Sequence, residues 1–273
     1  MVGPLAGKVA LITGAARGQG RSHAVRLAQD GADVIAVDIC RQLDSVAYAL
    51  ASPEDLRETM CQVEALDRRI VAAEADVRDL DAMCAVVADG VGQLGGVDIV
   101  LANAGIGMTR EDIEPHAAFR EVIDVNLTGV WNTVHAAVPK MIEQGRGGSI
   151  VVTGSVMGLT GRGGGRGKAG GEAYIAAKHG LVGLTRAWAN WLAQYNIRVN
   201  SVHPTGVDTP MVMNDALRQS LASQPSSADL SNLLDVRIME PIDISNAIAW
   251  LVSDQARYVT GVALPVDAGF TVK

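Results

Sequence analysis

Tyr174-Ile175-Ala176-Ala177-Lys178 sets a phenol and an ammonium four residues apart, on one face of any helix that carries them. An ordinary phenol, with a pKa near ~10, is a poor base at neutral pH. A neighbouring ammonium favours the phenolate and brings it toward the working range of an acid–base catalyst. Ser155 adds a hydroxyl just after the apolar run 149–152. At the carboxyl end of a strand, where open α/β sheets bind ligands, such a hydroxyl is placed to hold a substrate oxygen while the phenol moves its proton. Thr153 is its close hydroxyl competitor.

A second constellation reads Thr13-Gly14-Ala15-Ala16-Arg17-Gly18-Gln19-Gly20, directly after the apolar run 9–13 and opening a helical segment. Glycines at these positions allow a tight turn and a close approach of backbone to a pyrophosphate, which the following helix start attracts with free N–H groups and its positive dipole. Asp38 lies 18 residues after Gly20, at the end of the next run, where an acid accepts hydrogen bonds from an adenosine ribose diol. A carboxylate there repels a 2′-phosphate and so favours NAD. Arg17, inside the turn, argues weakly the other way.

These groups need a scaffold that aligns strand ends. Apolar runs at 9–13, 33–37, 70–75, 97–102, 149–152, 197–202 and 261–266 are nearly continuous in Val, Ile, Leu and Ala. That pattern marks strands covered on both faces, and most intervals hold a crossover helix. The expectation is α/β: a single doubly wound Rossmann-type domain over 1–273, with a parallel sheet of about seven strands. The 37 residues from 39 to 75 exceed one compact connection. Ser52-Pro53-Glu54-Asp55 reads as a helix start, with Leu56, Met60 and Val63 as its apolar stripe, so 39–51 is read as an insertion.

Composition bounds the partners. Of 273 residues, 48% are hydrophobic and 19% charged, and the net charge of −7 argues against a nucleic-acid surface. No apolar run reaches the ~18 residues of a spanning helix, so no membrane partner is expected. Cys40, Cys61 and Cys84 are odd in number and scattered, which favours a reducing, cytoplasmic setting. The five histidines show no HExxH pattern, so no metal site is expected.

Jointly these motifs resemble the classical short-chain dehydrogenase/reductase family over nearly the whole chain. Asn103-Ala104-Gly105, Asn126 and His203-Pro204-Thr205-Gly206-Val207-Asp208-Thr209 complete the likeness. The resemblance implies Tyr174 as general acid/base, Ser155 as substrate-oxygen anchor, Lys178 as ribose contact and phenol tuner, and Asn126 as support for a water relay. It implies a cofactor shell of Gly14, Arg17, Gly18, Gln19, Gly20, Asp38, Asp76, Val77, Asn103, Ala104, Gly105, Tyr174, Lys178, Pro204, Val207 and Thr209. Asp76 and Val77 would flank the adenine; Val207 and Thr209 would hold the carboxamide. The implied reaction interconverts a secondary alcohol and a ketone in a dimer or tetramer.

The glycine turn with Arg17 and Gln19, the stretch around Asp38 and the insertion resemble a narrower branch, the mycofactocin-associated or carveol-dehydrogenase-like enzymes. That likeness implies NAD that does not exchange, covered by 39–51, with electrons leaving through a peptide-derived carrier. Ile39, Leu43, Val46, Tyr48 and Leu50 are the apolar residues available to cap the adenine side; a plain surface excursion is the alternative. Segment 207–240, with Met211, Met213, Leu217, Leu221, Leu233 and Leu234, is read as a lid for an apolar alicyclic or terpenoid-like substrate, or else as packing on the core or another subunit. The loop 161–171, with seven glycines and three cations, lengthens the Ser155–Tyr174 separation to 19 positions. It is either a solvent loop or a cationic rim. An ordinary dehydrogenase with exchanging NAD, and a non-catalytic NAD-binding protein, are the rival functions.

Overall fold

The computed structural model describes residues 3–107, 109–162, 167–222 and 230–273. Part of the glycine-rich loop (163–166), part of the expected lid (223–229) and the side chain of Leu221 lie outside the described residues. Seven strands, β1 (Val9–Thr13), β2 (Asp33–Asp38), β3 (Ile70–Glu74), β4 (Ile99–Ala102), β5 (Gly148–Thr153), β6 (Ile197–Pro204) and β7 (Ala263–Val266), form one sheet. Its order is β3-β2-β1-β4-β5-β6-β7, and every neighbouring pair is parallel. Successive side chains leave a strand on opposite faces. On β1, Val9 and Leu11 enter one apolar core while Ala10 and Ile12 enter the other. This two-sided burial is why the runs read as continuous rather than alternating.

One face carries α1 (Gly18–Gln29), α2 (Pro53–Glu64) and α8 (Pro241–Val252). The other carries α3 (Leu80–Leu94), α4 (Pro115–Ile123), α5 (Gly129–Gln144) and α6 (Ala169–Leu192), with the short α7 (Asp215–Ala222) beyond β6. A π-helical turn, Asp124–Thr128, joins α4 to α5, so Asn126 sits in that turn rather than in a regular helix. Strand order reverses between β1 and β4, and their carboxyl ends part to open a crevice there.

Two strands start later than the apolar runs suggest. Val97 is taken by a side chain: its N–H donates to Gln144 Oε1 at 2.7 Å, and Gln144 Nε2 donates to its carbonyl at 2.8 Å. Gly261 has φ +74° and Val262 N–H donates to Asn200 Oδ1, so pairing resumes only at Ala263. The α2 start conforms to its reading: Ser52 Oγ accepts from Asp55 N–H at 3.3 Å and Asp55 Oδ2 accepts from Ser52 N–H at 2.9 Å. Its buried face differs. Thr59 is fully buried with Leu56 and Val63, while Met60 is only half-buried, because the α2 axis turns Thr59 onto the glycine turn.

Removing the Ser52 cap opens this helix start. Ser52→Ala is expected to cost about 1 kcal/mol. It should appear in urea unfolding as a lower midpoint with an unchanged slope.

Candidate active site

The β1–α1 turn is shaped by two close approaches. Gly18 has φ +54°, and a Cβ on Gly20 would lie 1.9 Å from Gly14 O, so neither position takes a side chain without rebuilding the turn. Its outward carbonyls are held from α2 and α1. Thr59 Oγ1 lies 3.0 Å from both Ala15 O and Ala16 O, and Arg21 donates to Ala16 O at 2.6 Å. At the start of α1, Arg17 offers no side-chain cap to the first N–H groups. Gln19 Oε1 is buried with no hydrogen-bond partner among the described residues, and Gln19 lines the crevice. An uncapped helix start, a side-chain-free cradle and an orphaned amide oxygen together fit a bound dinucleotide.

At the end of β2, the Asp38 carboxylate is buried and fixed by two N–H donors, Ala16 at 3.0 Å and Cys40 at 3.2 Å, while it faces the crevice. Asp76 and Val77 line the same wall. Burial works to raise the Asp76 pKa, but the hydrogen bonds and charge of Arg78, with help from Arg41, outweigh it and hold the carboxyl below its usual range. Arg17 donates to the carbonyl of Ala49 in the insertion.

The acid–base cluster lies at the ends of β4 and β5. Lys178, buried on α6, donates to Thr153 O at 2.7 Å, and its Nζ is 5.5 Å from the Tyr174 ring centre. Burial pushes its pKa down to about 8. Tyr174 departs from the expectation drawn from the sequence. Burial raises the phenol above its ordinary value, the nearby Ser155 hydroxyl acts to lower it, and the Lys178 ammonium is directed to Thr153. Ser155 Oγ also accepts from Met157 N–H at 3.1 Å. Thr153 does not compete for its place, since Thr153 Oγ1 donates to Asn103 Oδ1 at 3.2 Å.

All sixteen residues of the expected cofactor shell, from Gly14 to Thr209, line one continuous crevice. Ser155 and Asn126 lie beside it rather than on its wall. Asn126 brackets Ile106, accepting from its N–H and donating to its carbonyl, each at 2.8 Å. Asn103 is clamped to β1: its N–H donates to Thr13 Oγ1 at 3.1 Å and its Nδ2 to Thr13 O at 3.0 Å.

Gln42, Ser45, Pro210 and Val212 are site residues that the sequence does not single out, unlike Leu43, Val46, Tyr48 and Met211. Gln42 holds the insertion together, donating from Nε2 to the carbonyls of Leu43, Val46 and Tyr48 and accepting from Leu50 N–H at 2.9 Å. Leu43, Val46 and Tyr48 are buried, and Tyr48 closes onto the opposite wall, its hydroxyl accepting from Gly107 N–H at 3.0 Å. Burial pushes the Tyr48 phenol up to about 12. The insertion is tied further by Ser45 to Glu121 and by pairing of Val46 with Thr109. In the 207–240 segment, Pro210, Met211 and Val212 face the crevice. Leu233 and Leu234 do not: both N–H groups donate to Ala268 O at 3.0 Å, and the side chains stand 60% and 63% exposed. Met213 is exposed as well. Among the described residues no cluster of metal-ligating side chains occurs, and no helix is long and apolar enough to cross a membrane.

The family described as short chain dehydrogenase matches residues 8–220. An uncharacterized oxidoreductase of Mycobacterium tuberculosis is 55% identical, with 99% of this chain and 98% of the relative covered. The (-)-trans-carveol dehydrogenase of Rhodococcus erythropolis is 47% identical, with 98% of each chain covered. The crystal structure of carveol dehydrogenase from Mycobacterium avium in complex with NAD shares 50% identity and a TM-score of 0.91, covering 99% of this chain and 100% of that one.

The proximity of Ser155 to Tyr174 carries a spectroscopic prediction. In the unliganded protein Tyr174 titrates above an ordinary tyrosine, and Ser155→Ala moves it higher still because the lowering contact is lost. A pH titration of ¹³C-labelled tyrosine by NMR, with Tyr174→Phe to assign the resonance, checks both directions.

Proposed function

The chain belongs to the short-chain dehydrogenase family, and on that premise we propose that it is an NAD-dependent oxidoreductase interconverting a secondary alcohol and its ketone. The observation that carries the reading is Tyr174 and Lys178 together on the wall of the crevice that the glycine turn opens, with the Ser155 hydroxyl close to the phenol. NAD, when bound, supplies the hydride acceptor for oxidation and the donor for reduction. Ser155 Oγ holds the substrate oxygen, and Tyr174 Oη takes the hydroxyl proton as the carbinol hydrogen departs as hydride. With NAD bound, Lys178, held on Thr153 O, would contact the nicotinamide ribose beside Tyr174. Asn126, fixed on Ile106, supports a water relay toward Lys178. Asp38, fixed by Ala16 N–H, would receive the adenosine ribose diol and disfavour a 2′-phosphate, while Arg17 is engaged by Ala49 O.

The substrate end of the crevice is apolar, with Ile106, Val125, Met211 and Val212, which favours an alicyclic or terpenoid-like alcohol. The name of the Rhodococcus relative points the same way. The insertion 39–51 is the cover of the cofactor, closed by Tyr48 on Gly107 and by Arg17 on Ala49. NAD behind it does not exchange, and a mycofactocin-type carrier collects the electrons, as in the branch the sequence resembles. A homo-oligomer forms through α5 and α6, where Trp131 and Trp191 are exposed around His135. The free cysteines suit the cytoplasm.

Tyr174→Phe should lower kcat for alicyclic alcohols about a thousandfold. Nucleotide released from that variant should match wild type by mass spectrometry. Purified wild-type protein should retain its NAD against labelled NAD over hours. Gln42→Ala, which unties the insertion, should speed exchange about tenfold or more. Turnover of wild type should then need an artificial electron acceptor.

A further inference from the structure

Backbone pairing between β5 and β6 ends where the chemistry begins. Gly154 N–H still donates to Val202 O at 2.8 Å, but Pro204 has no N–H with which to extend the pairing. The following residue, Ser155, is held by a side chain instead. His203 Nδ1 lies 2.9 Å from Ser155 O and 3.3 Å from Ser155 N, and Nε2 lies 2.8 Å from Ser201 Oγ. Whichever ring nitrogen carries the proton, Nδ1 is bonded to the Ser155 backbone. The ring is fully buried, and a Cβ on Gly154 would lie 2.4 Å from His203 Cε1, so Gly154 and His203 fit only each other's shape.

We infer that His203 is a positioning residue for the Ser155 hydroxyl: its Nδ1 fixes the backbone of Ser155, and that backbone fixes Oγ against Tyr174. The inference rests on the reading of Ser155 as the anchor of the substrate oxygen. Burial lowers the His203 pKa and outweighs the opposing hydrogen bond to the Ser155 backbone, with the charge of Lys178 acting in the same sense as burial. An imidazole braced at both ends resists rotation, and small displacements of a reacting hydroxyl are costly in rate.

Two variants separate the ends of the ring. His203→Gln reaches toward Ser201 and withdraws from Ser155, whereas His203→Asn keeps a donor and an acceptor where Nδ1 stands. Each is measured alone and with Ser155→Ala, reading kcat for alcohol oxidation, thermal midpoint and retained NAD. The expected result is a kcat loss of about 10- to 100-fold for His203→Gln. His203→Asn should recover most of it. With Ser155→Ala present, His203→Gln should cost less than about twofold, because the two act through one hydroxyl. Undiminished kcat in His203→Gln, an equal loss in both backgrounds, or equal losses for Gln and Asn would overturn the inference. Where His203→Gln does not fold, Ser201→Ala frees the far side of the ring. It should then give a severalfold loss that vanishes with Ser155→Ala; no loss, or a persisting one, again counts against His203. Unimpaired kcat in Ser155→Ala alone sinks the anchor reading and this inference together, whereas a Ser155-specific loss without a His203 effect sinks only the latter.

Discussion

A single line of hydrogen bonds crosses the carboxyl ends of the three central strands, and the site depends on it. Thr13 on β1 receives Asn103 N–H and Ala104 N–H, Asn103 receives Thr153 Oγ1 from β5, and Thr153 O receives the Lys178 ammonium from α6. Each link joins elements far apart in sequence, so the line registers three strand ends against one another. The dinucleotide turn begins one residue past Thr13, the crevice floor begins at Asn103, and Ser155 lies two residues past Thr153. An error of register at any of these ends would move chemistry and cofactor cradle apart. The line also answers an electrostatic need, since a buried ammonium without an acceptor would cost several kcal/mol.

The insertion is organised by different physics. With no regular helix or strand of its own, it satisfies its carbonyls through one amide, Gln42, and buries Leu43, Val46 and Tyr48 where an ordinary turn would leave the cofactor edge open. A buried loop is tolerable only when its polar backbone groups find partners. Gln42 inside, and Arg17 on Ala49 O and Arg110 N–H on Ser45 O at the margins, provide them. Its contacts reach both walls of the crevice, through Arg17 on one side and Gly107 on the other.

Much of the fold is legible in the chain because its signals are local. Val9 through Thr13, buried at every position, announces a two-faced strand, and Ser52-Pro53 announces the start of α2. The glycine turn and Tyr174-x-x-x-Lys178 are likewise written in short stretches, so the crevice could be anticipated residue by residue. What could not be anticipated depends on long-range geometry. Thr59 caps carbonyls 43 and 44 residues away, and nothing near it in sequence distinguishes it from a solvent-facing threonine. Leu233 and Leu234 look like lid residues by composition, yet the C-terminal turn at Ala268 holds them outward. Spacing places Lys178 on the right face, but only the fold shows its ammonium committed to Thr153 and the Tyr174 phenol raised by burial.

A crystal structure of the protein with NAD is the most direct test of the account. The ribose diol of the adenosine is expected on Asp38, the diphosphate over the uncapped start of α1, and the nicotinamide beside Tyr174, with 39–51 closed over it. A dinucleotide bound elsewhere, or one in this crevice with its nicotinamide end remote from Ser155 and Tyr174, would contradict it.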